Sequence, residues 1–199
     1  VQLAIGIEDY EIPRDLADHI IQTSKALDDS QWTKSVLGHT DSGESIRTSS
    51  GVNIDQILPD LVKPIRGHVD AALQHYKSKY GISITQNEGL DLLRYGVTEK
   101  YDFHYDGDWE YYRTVSMLIY LNPSEYSGGE TEFKYFDLKV KPSKPSIVIF
   151  PSNYSYLHAA LPVTDGEKFI IVSWMNDLPI GMDPGIMYTI NKSVNVKLS

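Results

Sequence analysis

His104 and Asp106 stand two apart in Tyr101-Asp102-Phe103-His104-Tyr105-Asp106. Side chains alternate faces along an extended strand, so an imidazole and a carboxylate at this spacing project to the same side. Both groups suit a divalent first-row metal, and two imidazoles with one carboxylate can grip one face of an ion and leave the other open. The pair alone is a common surface accident and needs a third donor. His158, in Tyr156-Leu157-His158-Ala159-Ala160, is the other histidine of the second half and lies in a strand-like run. A sheet that brings the two strands together would complete the set. Further on, Lys168 opens the run Lys168-Phe169-Ile170-Ile171-Val172-Ser173-Trp174. A cation directed inward from so apolar a strand is costly to bury without an anionic partner. No Asp or Glu is evident opposite it, so a ligand carboxylate is one candidate partner. A lysine that closes a hairpin and faces solvent is the other reading.

The elements that must position these residues fit in one domain of 199 residues. The chain has no cysteine, which excludes a disulfide scaffold, a thiolate metal site and a cysteine nucleophile. No apolar run reaches the length of a membrane span, and the start lacks the basic-then-apolar pattern of a signal peptide. A cytoplasmic location without a membrane partner is the default expectation. A net charge of −9 with no local basic patch argues against nucleic acid as a partner.

A first helix opens at Glu11-Ile12-Pro13-Arg14, with Pro13 suited to the first turn. Leu16, Ala17, Ile20, Ile21, Ser24 and Leu27 form its apolar stripe, and Asp28-Asp29-Ser30 ends it. Residues 31–37 read as a short strand. Residues 38–51, rich in Gly, Ser, Thr and Asp, read as a mobile surface loop of the kind that forms substrate lids. A longer helix over 60–80 buries Leu61, Ile65, Val69, Ala72, Leu73 and Tyr76, with Gly81 as its C-cap. Pro64 is tolerable there only in the first turn. His68 and His75 have no carboxylate at ligand spacing and, like His19 and His39, are read as surface or packing residues.

From residue 82 the period changes to that of strands. Short β-rich runs at 89–96, 100–105, 114–121, 130–136, 138–140, 146–150, 156–160 and 168–175 are separated by Asn-Pro-Ser, Ser-Gly-Gly, Lys-Pro-Ser and Asp-Gly turns. These runs after two helices predict a mainly β (α+β) fold, a double-stranded β-helix or jelly roll buttressed by N-terminal helices. The expected layout is a single domain over 1–199, with helical support to about 81, a jelly-roll core over about 82–178 and a tail over 179–199 that wraps the outside.

A longer ordered series contains the metal-ligand candidates. Ile46-Arg47-Thr48-Ser49-Ser50-Gly51 and Leu93-Arg94-Tyr95-Gly96 precede His104-x-Asp106. Arg113-Thr114-Val115-Ser116-Met117-Leu118-Ile119-Tyr120-Leu121-Asn122, Gly128-Gly129-Glu130-Thr131-x-Phe133, His158, Pro162-Val163, Lys168 and Trp174 follow it. In order and spacing the series resembles the Fe(II)/2-oxoglutarate dioxygenases of the prolyl 4-hydroxylase type, from about residue 45 to 177. The related PKHD-type hydroxylases share the Arg-Thr, Gly-Gly-Glu and Pro-Val-Thr-x-Gly pieces.

The resemblance implies a catalytic set of His104, Asp106, His158 and Lys168, the first three holding Fe(II). It implies 2-oxoglutarate chelating the iron, with its distal carboxylate on Lys168 and hydrogen bonds from Tyr95 and Tyr120. O2 would be the oxidant, ascorbate an optional accessory and succinate a product. The implied substrate is a proline-containing peptide or protein, contacted by Arg47, Ser49, Glu88, Tyr101, Arg113 and Trp174 beneath the 38–51 loop. Tyr101 and Trp174 read equally as core aromatics, and Glu88 and Arg113 equally as a structural ion pair. Three departures stand out. Lys144-Pro145-Ser146 replaces a glycine that usually precedes the strand leading to the second histidine. Asn176 stands where some relatives have histidine, and 107–112 is unusually aromatic. Two other readings compete. One is a hydroxylase of another protein side chain, a free amino acid or a modified base on the same iron site. The other is a jelly-roll binding module without catalysis, against which the complete set of four speaks.

Overall fold

The computed structural model describes residues 4–35, 37–39, 45–107 and 112–177. The expected tail over 179–199, the middle of the 38–51 stretch and most of the aromatic 107–112 segment lie outside the described residues.

The strand Lys168–Asn176 forms the spine of the fold. Alternate side chains serve two different cores. Phe169, Ile171 and Met175 pack toward the helices, while Ile170, Val172 and Trp174 pack into the space between two sheets. Burial on both faces is why this strand reads as a continuous apolar run rather than an alternating one. Its antiparallel neighbours are Val115–Tyr120 and Asp91–Tyr95. The larger sheet runs Glu8–Glu11, Ser146–Pro151, Val115–Tyr120, Lys168–Asn176, Asp91–Tyr95, Ser50–Asn53, Thr33–Lys34, with Gln86–Asn87 also on the spine. The smaller sheet runs Leu138–Val140, Thr131–Phe133, His158–Ala160, Tyr101–His104, Ser45–Arg47, Leu37–His39. Phe133 and Val140 of the smaller sheet pack against Tyr120, Val148 and Phe150 of the larger one. These two facing antiparallel sheets are the expected jelly roll.

Helices α1 (Arg14–Lys25), α2 (Ile54–Ile57) and α3 (Pro59–Tyr80) cover the outer face of the larger sheet. Ala17, Ile20 and Ile21 of α1 and Leu61, Ile65, Val69 and Tyr76 of α3 share one core with Met117, Ile119, Ile147 and Ile149. Each large apolar side chain buried there contributes about 1.5–3 kcal/mol, and this packing holds the sheet rigid behind its inner face. Gly81 ends α3 with φ 64° and donates its N–H to the Lys77 carbonyl at 2.9 Å, a left-handed cap that glycine adopts without a Cβ clash.

Three expectations need correction. Pro13 is the residue before α1 rather than part of its first turn. Pro64 lies inside α3, because the helix begins at Pro59; Pro64 is exposed, so the Asp60 carbonyl that loses its partner is on the solvent side. The 38–51 stretch is not one surface loop. Ser45–Arg47 and Ser50–Asn53 are strands, one in each sheet. Arg47, Ser49 and Ser50 are buried, held by hydrogen bonds from Arg47 Nε to Ser49 Oγ and from the Thr48 amide to the Lys100 carbonyl. Small polar residues carry no hydrophobic period, so this pairing left no trace in the pattern. The turn at Lys144-Pro145-Ser146 is tied instead by Ser146 Oγ to the Lys144 carbonyl and by the Ile12 amide to the Pro145 carbonyl.

Candidate active site

Tyr101–His104 and His158–Ala160 are neighbouring antiparallel strands, and His104 lies directly across from His158. The next pairing joins Ala160 to Tyr101, so the register shifts between the two. The bulge turns Tyr101 and His104, three residues apart, to one side, and their rings stack at 3.6 Å between centroids. Asp106 follows just past the strand end and is buried. The ligand atoms of His104, Asp106 and His158 all lie within 4.8 Å of one another.

Backbone carbonyls orient both imidazoles. His104 Nδ1 lies 2.8 Å from the Asp102 carbonyl, and His158 Nδ1 lies 2.9 Å from the Tyr156 carbonyl. A carbonyl only accepts, so each Nδ1 carries the proton and each Nε2 presents a lone pair. Both Nε2 atoms stand 3.5 Å from an Asp106 oxygen, one on Oδ1 and one on Oδ2. Burial lowers the His158 pKa to about 4, against the pull of Asp106, so the ring stays neutral near pH 7. Burial raises the Asp106 carboxyl, but His158, His104 and the Ser116 hydroxyl outweigh it and hold the group well below the usual range. Ser116 Oγ donates to Asp106 Oδ2 at 2.6 Å and is itself 2.8 Å from Ser152 Oγ. Two neutral imidazoles and one ionised carboxylate, each fixed by an outer hydrogen bond, form a donor set that fits a divalent iron. Gly107 keeps the loop in place, since a Cβ there would lie 2.6 Å from the Arg113 carbonyl.

The three ligand candidates line one pocket with Lys168, together with Arg47, Tyr95, Tyr101, Thr131 and Trp174. The pocket holds about 450 Å³ of empty space, counting its open mouth, which is in the range of small-molecule sites. Lys168 is 1% exposed, so the solvent-facing hairpin lysine is ruled out. Its ammonium donates to the Gly129 carbonyl at 2.7 Å and lies over the rings of Tyr95 and Tyr120. An ammonium has three donors, and the Gly129 carbonyl is its one acceptor among the described residues. Burial lowers its pKa to about 7, opposed by Glu130 and assisted by Lys141. Glu130 is therefore the acidic residue in reach of its field, although no ion pair joins them. A buried cation with spare donors in a mainly apolar pocket fits a ligand carboxylate.

Gly128 and Gly129 make this seat possible. Both have positive φ, at 70° and 65°. A Cβ on Gly128 would clash with the Pro162 carbonyl, and one on Gly129 would lie 2.9 Å from the Tyr126 ring and 3.3 Å from Lys168 Cδ.

The remaining expected site residues divide. Tyr95 lines the pocket, with Arg47 and Ser49 near enough to its hydroxyl to favour its ionised form against the effect of burial. Tyr120 lies behind the lining; its hydroxyl is 2.5 Å from Thr131 Oγ1 and donates to the Val140 carbonyl, so Thr131 faces the pocket instead. Arg47, Tyr101 and Trp174 line the pocket, with the Arg47 guanidinium 5.1 Å from the Tyr101 ring. Ser49 sits behind Arg47 as its hydrogen-bond acceptor. Glu88 and Arg113 form an ion pair at 2.7 Å outside the lining, and Arg113 stacks on Trp174 at 3.9 Å. Asn176 is buried at the far end of the spine strand, where it pairs with Gln86. Ser116, Ser152 and Thr131 were not anticipated. Ser116 did leave a signal, as a polar residue at an inward position of the apolar run Val115-Ser116-Met117.

Comparison with known proteins agrees with this geometry. The sequence pattern of the 2OG-Fe(II) oxygenase superfamily matches residues 90–176. The chain is 31% identical over 160 residues to a protein named probable prolyl 4-hydroxylase 9 from Arabidopsis thaliana, covering 66% of this chain and 54% of that one. It spans about half the length of the first curated relatives it matches. The fold is similar to that of the viral collagen prolyl hydroxylase of Paramecium Bursaria Chlorella virus-1, solved with 2OG (TM-score 0.65, 22% identity, 87% of this chain and 97% of that one). It is also similar to a Trichoplax adhaerens prolyl hydroxylase solved with a hypoxia inducible factor peptide (TM-score 0.72, 19% identity, 93% and 86%). The ligand-candidate strands, the Gly-Gly turn and the buried lysine all lie inside the region matched by the 2OG-Fe(II) oxygenase superfamily, and in that region the chain is similar to proteins named prolyl 4-hydroxylases.

Proposed function

We propose that this chain hydroxylates proline residues in peptides or proteins, using Fe(II), 2-oxoglutarate and O2. The observation that carries the reading is one pocket holding three pre-oriented metal donors and a buried lysine with spare donors. Bound there, Fe(II) with 2-oxoglutarate and O2 supplies oxidative chemistry that yields succinate, CO2 and a hydroxylated substrate. His104, Asp106 and His158 would hold the metal, with Ser116 fixing which Asp106 oxygen turns inward. Lys168 would take the distal carboxylate, and Thr131 and Tyr95 supply hydroxyls beside it. The apolar walls of Leu93, Leu118, Ile170 and Val172 exclude water from that end.

At the mouth, Tyr101 and Trp174 offer aromatic faces and Arg47 a guanidinium fork. Aromatic-lined surfaces suit proline-rich segments, whose extended conformation is already formed before binding. The test is mass spectrometry of proline-containing peptides after incubation with the protein, Fe(II) and 2-oxoglutarate, with succinate measured in parallel. One oxygen gained on a proline, absent in Asp106→Ala, is expected. Succinate without a modified peptide would transfer the site to another substrate, and full activity in Asp106→Ala would overturn the metal assignment.

A further inference from the structure

A second cavity, of about 750 Å³ counting its mouth, opens beside the first, and Arg47 and Leu93 line both. Its chemistry differs. Gln31, Thr33, Asn53 and Gln56 surround a single carboxylate, that of Asp91, and no ligand discussed above occupies it. Asp91 and Leu93 are two apart on one strand and so face the same side of the sheet. The cavity is thus a continuation of the inner face of the sheet that carries the active-site pocket. Asp91 is held in place from one side only. Asn53 Nδ2 donates to Asp91 Oδ1 at 2.9 Å, and Asn53 Oδ1 accepts from the Gln56 amide, which fixes the amide orientation. Asp91 Oδ2 has no partner and no cation pairs with Asp91 among the described residues.

We infer that this cavity is a subsite for a basic side chain of the substrate peptide, a lysine or arginine flanking the target proline, bound by Asp91. The inference rests on the reading of the chain as a peptidyl-proline hydroxylase. A carboxylate with a spare oxygen, set among neutral hydrogen-bonding side chains with Arg47 at the wall shared with the first pocket, offers an acceptor to a cation with N–H donors and disfavours an acidic side chain. The chain's net charge of −9 acts in the same direction by steering basic peptides toward the surface.

The experiment uses fluorescein-labelled peptides with one central proline, in which each flanking position in turn carries lysine, glutamate or alanine. Anisotropy reads binding to the full chain and mass spectrometry reads hydroxylation. At one flanking position lysine should bind about two- to fivefold tighter than alanine, the range of a half-exposed ion pair, and glutamate weaker than alanine. Asp91→Asn should flatten the lysine-to-glutamate ratio at that position. Gln56→Lys, at an exposed cavity residue, should reverse it even if Asp91→Asn folds poorly. A flat scan in the parent, or a ratio unchanged in both variants, would overturn the subsite and leave the hydroxylation reading standing. Tighter binding of the lysine peptide with no oxygen gained on any proline would overturn hydroxylation and leave the subsite.

Discussion

Replacing Lys168 with methionine separates two effects of a buried lysine that move in opposite directions. Burial lowers the Lys168 pKa from 10.5 to about 7; at about 1.36 kcal/mol per unit, this is a penalty of about 5 kcal/mol on the charged form. The unfolded chain keeps this lysine protonated to its ordinary pKa, while the folded chain releases the proton from about pH 7 upward. Between those values the unfolded state binds more protons, so stability rises with pH. Below them both states are protonated and the full penalty applies. A methionine of similar shape lacks this term. Metal-free Lys168→Met should therefore be more stable than the parent by about 2–4 kcal/mol near neutral pH, allowing for the lost Gly129 hydrogen bond. That advantage should shrink toward about pH 9.5, as urea titrations at each pH would read. Cosubstrate binding should move the other way. Leaving a buried carboxylate unpaired costs about 3 kcal/mol, so the 2-oxoglutarate Kd should rise about a hundredfold. In the parent, affinity should be level below about pH 7 and weaken toward tenfold per unit above it, because binding must then take up a proton. Calorimetry in two buffers of different ionisation enthalpy measures that proton. A variant no more stable than the parent, with the same pH slope and the same 2-oxoglutarate affinity, would refute Lys168 as a buried anchor.

Other substitutions test the supporting structure. Ser116→Ala removes the hydroxyl that fixes the Asp106 carboxylate and should weaken Fe(II) or Mn(II) binding about 10- to 100-fold, measured by calorimetry, with a small change in stability. Gly129→Ala forces a side chain into a positive-φ position already crowded by Tyr126 and should cost about 1–3 kcal/mol in denaturant unfolding, with weaker 2-oxoglutarate binding because its carbonyl seats Lys168. Phe133→Ala empties a fully buried site between the sheets, where its ring packs on Phe150 and His158, and should cost about 3–5 kcal/mol.

The spine strand and the two long helices were legible from neighbouring residues alone. The nearly unbroken apolar run of Lys168–Asn176 marks a strand buried on both faces, and α1 and α3 each carry one apolar stripe at helical spacing. The three candidate metal donors stood out because histidine is rare in strand-like runs and Asp106 stands two residues from His104. What was hidden depends on register. Period-two alternation alone would turn Tyr101 away from His104, and only the bulge opposite His158–Ala160 brings both rings to the pocket. The burial of Arg47 and Ser49, both expected as substrate contacts, was hidden for a different reason. Arg47 donates to Ser49 inside the fold, and a polar sequence that satisfies itself in this way looks like a surface loop.

Arg113 shows why the substrate side was harder to read than the metal side. Its guanidinium donates to both Glu88 oxygens, reaches the Asp106 carbonyl at 3.3 Å and lies on the face of Trp174. It therefore braces the loop that carries Asp106, a candidate metal ligand, and a wall of the pocket mouth at the same time. Peptide affinity lost in an Arg113 variant would consequently mix a displaced Asp106 with a displaced Trp174, and would not identify a contact to substrate. Trp174 can be separated from that brace. Its ring lines the pocket, while the backbone that positions it is paired on both sides within the larger sheet. Trp174→Phe retains an aromatic face over a smaller area, so it should weaken peptide binding while Fe(II) and 2-oxoglutarate affinities stay level, as parallel calorimetric titrations would show. Equal losses in all three titrations would instead make Trp174 part of the frame that holds the metal loop.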